Sequence, residues 1–220
     1  MKTRRRSLTT CLIVGLAILI FGTSVRSQER SKTPPARVVF HHVARALVNF
    51  GTGTGQVIGY LSTIDGVTGS LFSGTPGEAT AFFTFRTDTF SFTPLAPNGD
   101  ILLTLLSPGA LNVYFNPSPA NDWSKPDSFS GGQLVATFSR AETMLIAFGP
   151  LQTDTASFEL ESSRDFTFNG QKLNFKSLAH HGFTLTNTTS STVIPTVIPD
   201  LPISFAFAGH AVAIGSGGNE

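Results

Sequence analysis

The chain reads as all-β: a single-domain antiparallel β-barrel with a phenylalanine-rich core, with a β-sandwich as the alternative. Three observations predict this. Gly, Pro, Asn and Asp recur at short intervals between runs rich in Val, Ile, Thr and Phe, which is the pattern of short strands joined by turns. No helix-length segment separates those runs, so the crossover helices of a parallel sheet are missing. Of the 20 Phe, all but Phe21 follow residue 27, and charged residues make up only 13% of the chain, a composition suited to a large aromatic interior. A barrel is favoured over a sandwich because closure removes the exposed edges that such apolar strands would otherwise present.

The first 27 residues are set apart from the body. Lys2, Arg4, Arg5 and Arg6 precede an apolar run from Cys11 to Gly22, and Val25 and Ser27 stand at the −3 and −1 places of a cleavage site. That order predicts a secretory signal peptide over residues 1–27, with an uncleaved anchor as the alternative. The run is short of the roughly 20 residues that span a bilayer. The expected location is therefore secreted or periplasmic. Cleavage leaves 10 basic and 14 acidic residues, a formal charge of −4. That balance offers no basic patch to nucleic acid and nothing to hold the mature chain in a membrane. The one cysteine, Cys11, leaves with the signal, so neither a disulfide nor a thiolate metal site is expected.

Residues 28–36 form a polar, proline-rich leader, expected to be flexible. The barrel is expected over 37–215, with a disordered tail at 216–220. Arg37–Phe50 is the first strand, closed by Gly51-Thr52-Gly53-Thr54-Gly55. This glycine run is a turn and not a phosphate loop, since neither Lys-Ser/Thr nor a helix follows it. Gln56–Ile64 is the second strand. Glu78–Phe92 is a long third, with a bend near Thr87-Asp88. Asp100–Leu106 and Ala110–Phe115 pair about Ser107-Pro108-Gly109, and Gln133–Arg140 is followed by Thr143–Phe148. Then come Thr155–Ser162, Asp165–Phe168 and Lys172–Phe175, the last two joined by Asn169-Gly170, a type I′ hairpin signal. His180–Thr186 and Ile203–Ile214 complete the set. Ser118–Gly132, which carries Trp123, and Thr188–Pro202 read as long irregular segments.

Gly77-Glu78-Ala79-Thr80-Ala81-Phe82-Phe83-Thr84-Phe85 resembles the Glu-Ala-Thr and aromatic-strand segment of allene oxide cyclases, which share an eight-stranded barrel with dirigent proteins. The resemblance implies an apolar barrel that binds or shapes a hydrophobic molecule. It carries no catalytic residue to a position of this chain.

Two constellations carry chemistry. Aromatic residues at alternate positions share a strand face, so Phe83 with Phe85 and Phe205 with Phe207 are candidate lining for a small apolar ligand, with Trp123 at the mouth. The histidines lie near the two ends of the barrel sequence, whose strands meet when an up-and-down barrel closes. One from each strand (His42, His181 and His210) could then converge as ligands for a divalent metal, although no cofactor is otherwise predicted. Glu159 and Glu161 share a strand face at about 7 Å, and are read as a solvated face because neighbouring exposed carboxylates do not split their pKa values. Asn187-Thr188-Thr189 is a glycosylation sequon. Three functions stay open: an exported barrel binding a small apolar ligand; a barrel enzyme, cyclase- or isomerase-like or metal-dependent; and a structural or surface-associated protein with a filled core. Neither the ligand nor the oligomeric state can be read from the sequence.

Overall fold

A computed structural model describes residues 37–148 and 150–213. The signal peptide, leader and tail expected at 1–27, 28–36 and 216–220 lie outside these residues. The strands are β1 (Arg37–Asn49), β2 (Thr54–Ile64), β3 (Phe83–Thr87), β4 (Phe90–Ser91), β5 (Ala96–Asn98), β6 (Ile101–Leu106), β7 (Gly109–Phe115), β8 (Gln133–Arg140), β9 (Thr143–Phe148), β10 (Leu151–Ser163), β11 (Phe166–Phe168), β12 (Gln171–Leu173), β13 (Phe183–Ser190), β14 (Ile194–Pro195) and β15 (Ile203–Ala213). One short helix, α1, spans Phe175–Leu178.

Eight strands close an antiparallel barrel in the order β1-β2-β3-β7-β8-β10-β13-β15, with β15 returning to β1. The order follows the chain, as in an up-and-down meander. The remaining strands of this sheet lengthen its wall. Phe158–Ser163 of β10 pairs with β8, and Leu151–Thr155 of the same strand pairs with β9, so β8 and β9 act as one strand broken at Ala141-Glu142. β6 and β7 are likewise one strand broken at Ser107-Pro108, where proline has no N–H to give the ladder. β3 and β4 both pair with β2, and the chain bends between them at Asp88-Thr89, close to the expected bend.

Some expected boundaries shift, each for a local reason. Glu78–Thr80 forms a 3-10 turn, so the third strand begins at Phe83. Asn174 accepts a hydrogen bond from the Lys176 N–H and caps α1, which ends β12 at Leu173. His180 and His181 precede β13 and do not lie on it. Gly182 enters that strand at φ +100°, and a Cβ there would lie 1.8 Å from the Phe158 carbonyl oxygen. β13 then runs on to Ser190, held by β10 on one side and β15 on the other, and takes three residues from the segment expected to be irregular. Asn169 and Gly170 have φ of 49° and 76°, as a type I′ turn requires.

The barrel is filled at one end and hollow at the other, and alternate residues along each strand show why. Phe40 on β1, Phe83 on β3, Phe138 on β8, Phe158 on β10 and Phe183 on β13 are buried in one continuous core. Further along the same inward faces come smaller or polar residues: His42, Ala44 and Ala46 on β1, Asn187 and Thr189 on β13. The β11–β12 hairpin and α1 stop the filled end. Phe166 and Phe168 pack 5.5 and 5.2 Å from the Phe83 ring, and Phe175 packs 6.2 Å from Phe138. A smaller cluster lies outside the wall, where outward-facing Leu47 and Ile58 are covered by Phe129, Trp123, Ile198 and Leu201.

Phe83→Ala is expected to lower the stability of the barrel by about 3–5 kcal/mol in urea unfolding, because it opens a cavity among the rings of Phe115, Phe166 and Phe168. Val197→Ala, at a side chain 83% exposed, is expected to change it by less than about 0.5 kcal/mol.

Candidate functional site

The hollow end of the barrel encloses a cavity of about 130 Å3. Its wall is largely apolar. Phe85, Phe90, Phe205 and Phe207 supply rings, and Phe50 and Leu95 stand half-exposed at the rim. Phe85, Phe205 and Phe207 of the expected lining therefore face this space. Phe83 lies deeper, in the filled core. Trp123 sits on the outer wall, stacked on Phe129 at 4.9 Å with the Arg45 guanidinium 5.0 Å from its ring centre, and anchors its loop there.

A polar track crosses this apolar wall. His42 of β1, Gly209 of β15, Asn187 of β13 and Asp154 of β10 are paired residue to residue across four adjacent strands. His42 Nε2 donates to Asn187 Oδ1 at 2.8 Å, and Asn187 Nδ2 donates to Asp154 Oδ2 at 2.8 Å. The direction of the chain follows from its middle member. Asn187 turns its amide nitrogen to Asp154 and its oxygen to His42, and because an amide oxygen only accepts, the imidazole proton is on Nε2. Gly209 makes the reach between β1 and β13 feasible. A Cβ there would lie 2.6 Å from Asn187 Oδ1 and 2.9 Å from His42 Cε1.

Burial sets the charges. His42 is 1% exposed, and desolvation, aided by nearby His210 and His41 and opposed by the Asn187 hydrogen bond, lowers its pKa from 6.5 to about 4. It is a neutral imidazole with a free lone pair on Nδ1. Burial pushes the Asp154 carboxyl up, while the Asn187 hydrogen bond and the Arg140 charge pull it back. Arg140, at the end of β8, is itself 8% exposed. Its Nη2 donates to the Ser107 carbonyl at 2.6 Å, and its guanidinium lies 4.8 Å from the Phe90 ring centre. Burial disfavours its charge and Asp154 favours it.

The three histidines expected to share a metal are not brought together. His42 faces the interior. His210 is half-exposed and paired with His41 on the outer side, their rings 6.0 Å apart. His181 lies before β13, with its ring against His180 at 4.5 Å. Among the described residues no three His, Cys, Asp or Glu side chains form a metal-ligating group. Glu159 and Glu161 are both exposed, as a solvated face requires. The sequon asparagine is the buried Asn187, with both side-chain ends engaged, so the folded barrel does not present it for glycosylation.

Sequence reasoning read Asn187 only as a sequon and passed over Asp154 and Arg140. A usable signal was present: each stands two residues from a large inward apolar residue or continues its alternation (Leu185–Asn187, Ala156–Asp154, Phe138–Arg140). A polar residue in phase with a buried face is a residue inside the barrel.

Three measurements check this site. The folded pKa of His42 lies below its unfolded value, so the unfolded chain binds more protons between about pH 4 and 6.5. The His42 contribution to stability is therefore complete above pH 6.5 and falls, by on the order of 3 kcal/mol in all, as the pH drops through that window. The 15N resonances of its ring are expected to keep the pattern of the neutral, Nε2-protonated form at pH 6. Gly209→Ala is expected to destabilise the barrel by about 1–3 kcal/mol in thermal unfolding, with loss of that Nε2 hydrogen-bond signature.

Compared with family models, curated proteins and solved structures, the chain matches none, so what the barrel does is to be read from its cavity.

Proposed function

We propose that this is an exported binding protein that holds a small, mainly apolar molecule in the hollow end of its barrel. The observation that carries the reading is the cavity itself: a space of about 130 Å3 walled by phenylalanine rings, open at a rim of half-exposed apolar side chains. Closed apolar cavities of about this size take up benzene-sized molecules, and binding sites are usually apolar pockets with few polar groups. A structural protein with a filled core would carry no such space. Export is supported by the basic, apolar and small-residue order of residues 1–27.

Binding fits better than acid–base catalysis at His42. An efficient general base titrates near the working pH, and His42, at about 4, holds a proton poorly. Its imidazole is suited to accepting a hydrogen bond.

Toluene is the probe to try first. At a concentration 100 times its Kd it is expected to raise the melting temperature by roughly 5–10 °C, measured by scanning calorimetry. Ala46→Phe, which places a ring in the cavity, is expected to abolish that rise while the protein stays folded. An unchanged melting temperature with saturating toluene would overturn the proposal.

A further inference from the structure

Among the described residues, two buried side-chain polar atoms have no hydrogen-bond partner: His42 Nδ1 and Arg140 Nε. Both belong to residues that line the cavity at the hollow end. Leaving a buried polar group unpaired is costly, and native proteins do it rarely. Two such atoms in one cavity, of opposite hydrogen-bonding character, form a complementary pair. With its proton on Nε2, His42 Nδ1 can only accept. Arg140 Nε–H can only donate.

Their places on the barrel set the spacing of what would join them. β1 and β8 lie opposite each other in the ring, with three strands between them by either route. A ligand meeting both atoms carries its two polar groups on opposite edges. Charge narrows the choice. Arg140 and Asp154 line the cavity together and each favours the charge of the other, so an anionic ligand would bring a further acidic group near Asp154 in an apolar space, which is unfavourable. A cationic ligand would face Arg140. The ligand is neutral. Between its polar edges it meets the rings of Phe85, Phe90, Phe205 and Phe207.

Building on the small-molecule reading above, we propose that the cavity selects a neutral ring compound with a hydroxyl at one edge and a carbonyl oxygen at the opposite edge. The hydroxyl donates to His42 Nδ1 and the carbonyl accepts from Arg140 Nε. A para-hydroxyaryl ketone has this chemistry.

Four probes built on one benzene ring test the pairing on the wild-type protein: toluene, phenol, acetophenone and 4-hydroxyacetophenone, each by calorimetric titration. Each polar group is expected to tighten binding about fivefold, so that 4-hydroxyacetophenone binds at least tenfold more tightly than toluene. His42→Phe is expected to erase the advantage of phenol and leave that of acetophenone, and Arg140→Met to do the reverse. Should either variant fail to fold, the wild-type 15N spectrum still decides. Phenol and 4-hydroxyacetophenone are expected to shift the His42 Nδ1 resonance toward the hydrogen-bonded range, and toluene to leave it in place. If toluene binds as tightly as the polar probes and Nδ1 does not move, the pairing is overturned, water satisfies both atoms, and the apolar cavity stands alone. If no probe binds, both readings fall.

Discussion

The hydrogen bond from His42 Nε2 to Asn187 Oδ1 is the constraint on which the hollow end of the barrel depends. It spans from β1 to β13 over β15, and Asn187 passes the connection on to Asp154 of β10. Four neighbouring strands are thereby tied in register from the inside, beside a space that the surrounding rings do not fill. The same bond fixes the tautomer of His42, and the tautomer leaves the Nδ1 lone pair free. Gly209 is the permissive element, since any side chain there would separate the two partners.

The two ends of the barrel are stabilised by different physics. At the filled end, ring against ring removes apolar surface from water, and the contribution grows with the area covered. At the hollow end, the neutral imidazole and the raised carboxyl show that burial has gone far enough to bias charge without filling the space. Desolvation of this kind strengthens each polar contact made there, and raises the cost of leaving one unmade. The hollow end nevertheless leaves two buried polar atoms unpaired among the described residues, His42 Nδ1 and Arg140 Nε.

Much of this was legible in the sequence. Gln133–Arg140 and Thr143–Phe148 could be delimited to the residue, because Gly-Gly, Ala-Glu and Gly-Pro bracket clean alternations. The Asn169-Gly170 turn was legible for the same local reason. Alternation also placed Phe85, Phe205 and Phe207 on shared faces. What it cannot carry is register between strands distant in the chain. His42 and Asn187 are 145 residues apart, and their meeting depends on the pairing of both with Gly209. The expected histidine cluster failed on the same ground: His42 and His210 do lie on adjacent strands, but out of phase, so one faces in and the other out.

The meander also orders events in time. Every pairing in the barrel joins strands that follow each other along the chain, except the last, where β15 must find β1. Contacts so distant in sequence carry the largest closure entropy and form late in folding. His42 arrives with the first strand, Asn187 and Gly209 with the last two, so the polar row cannot exist until the chain has been fully made and the ring has shut. The hollow end is therefore the last part of the barrel to acquire its inner wall, since that wall waits on the closure of β15 against β1.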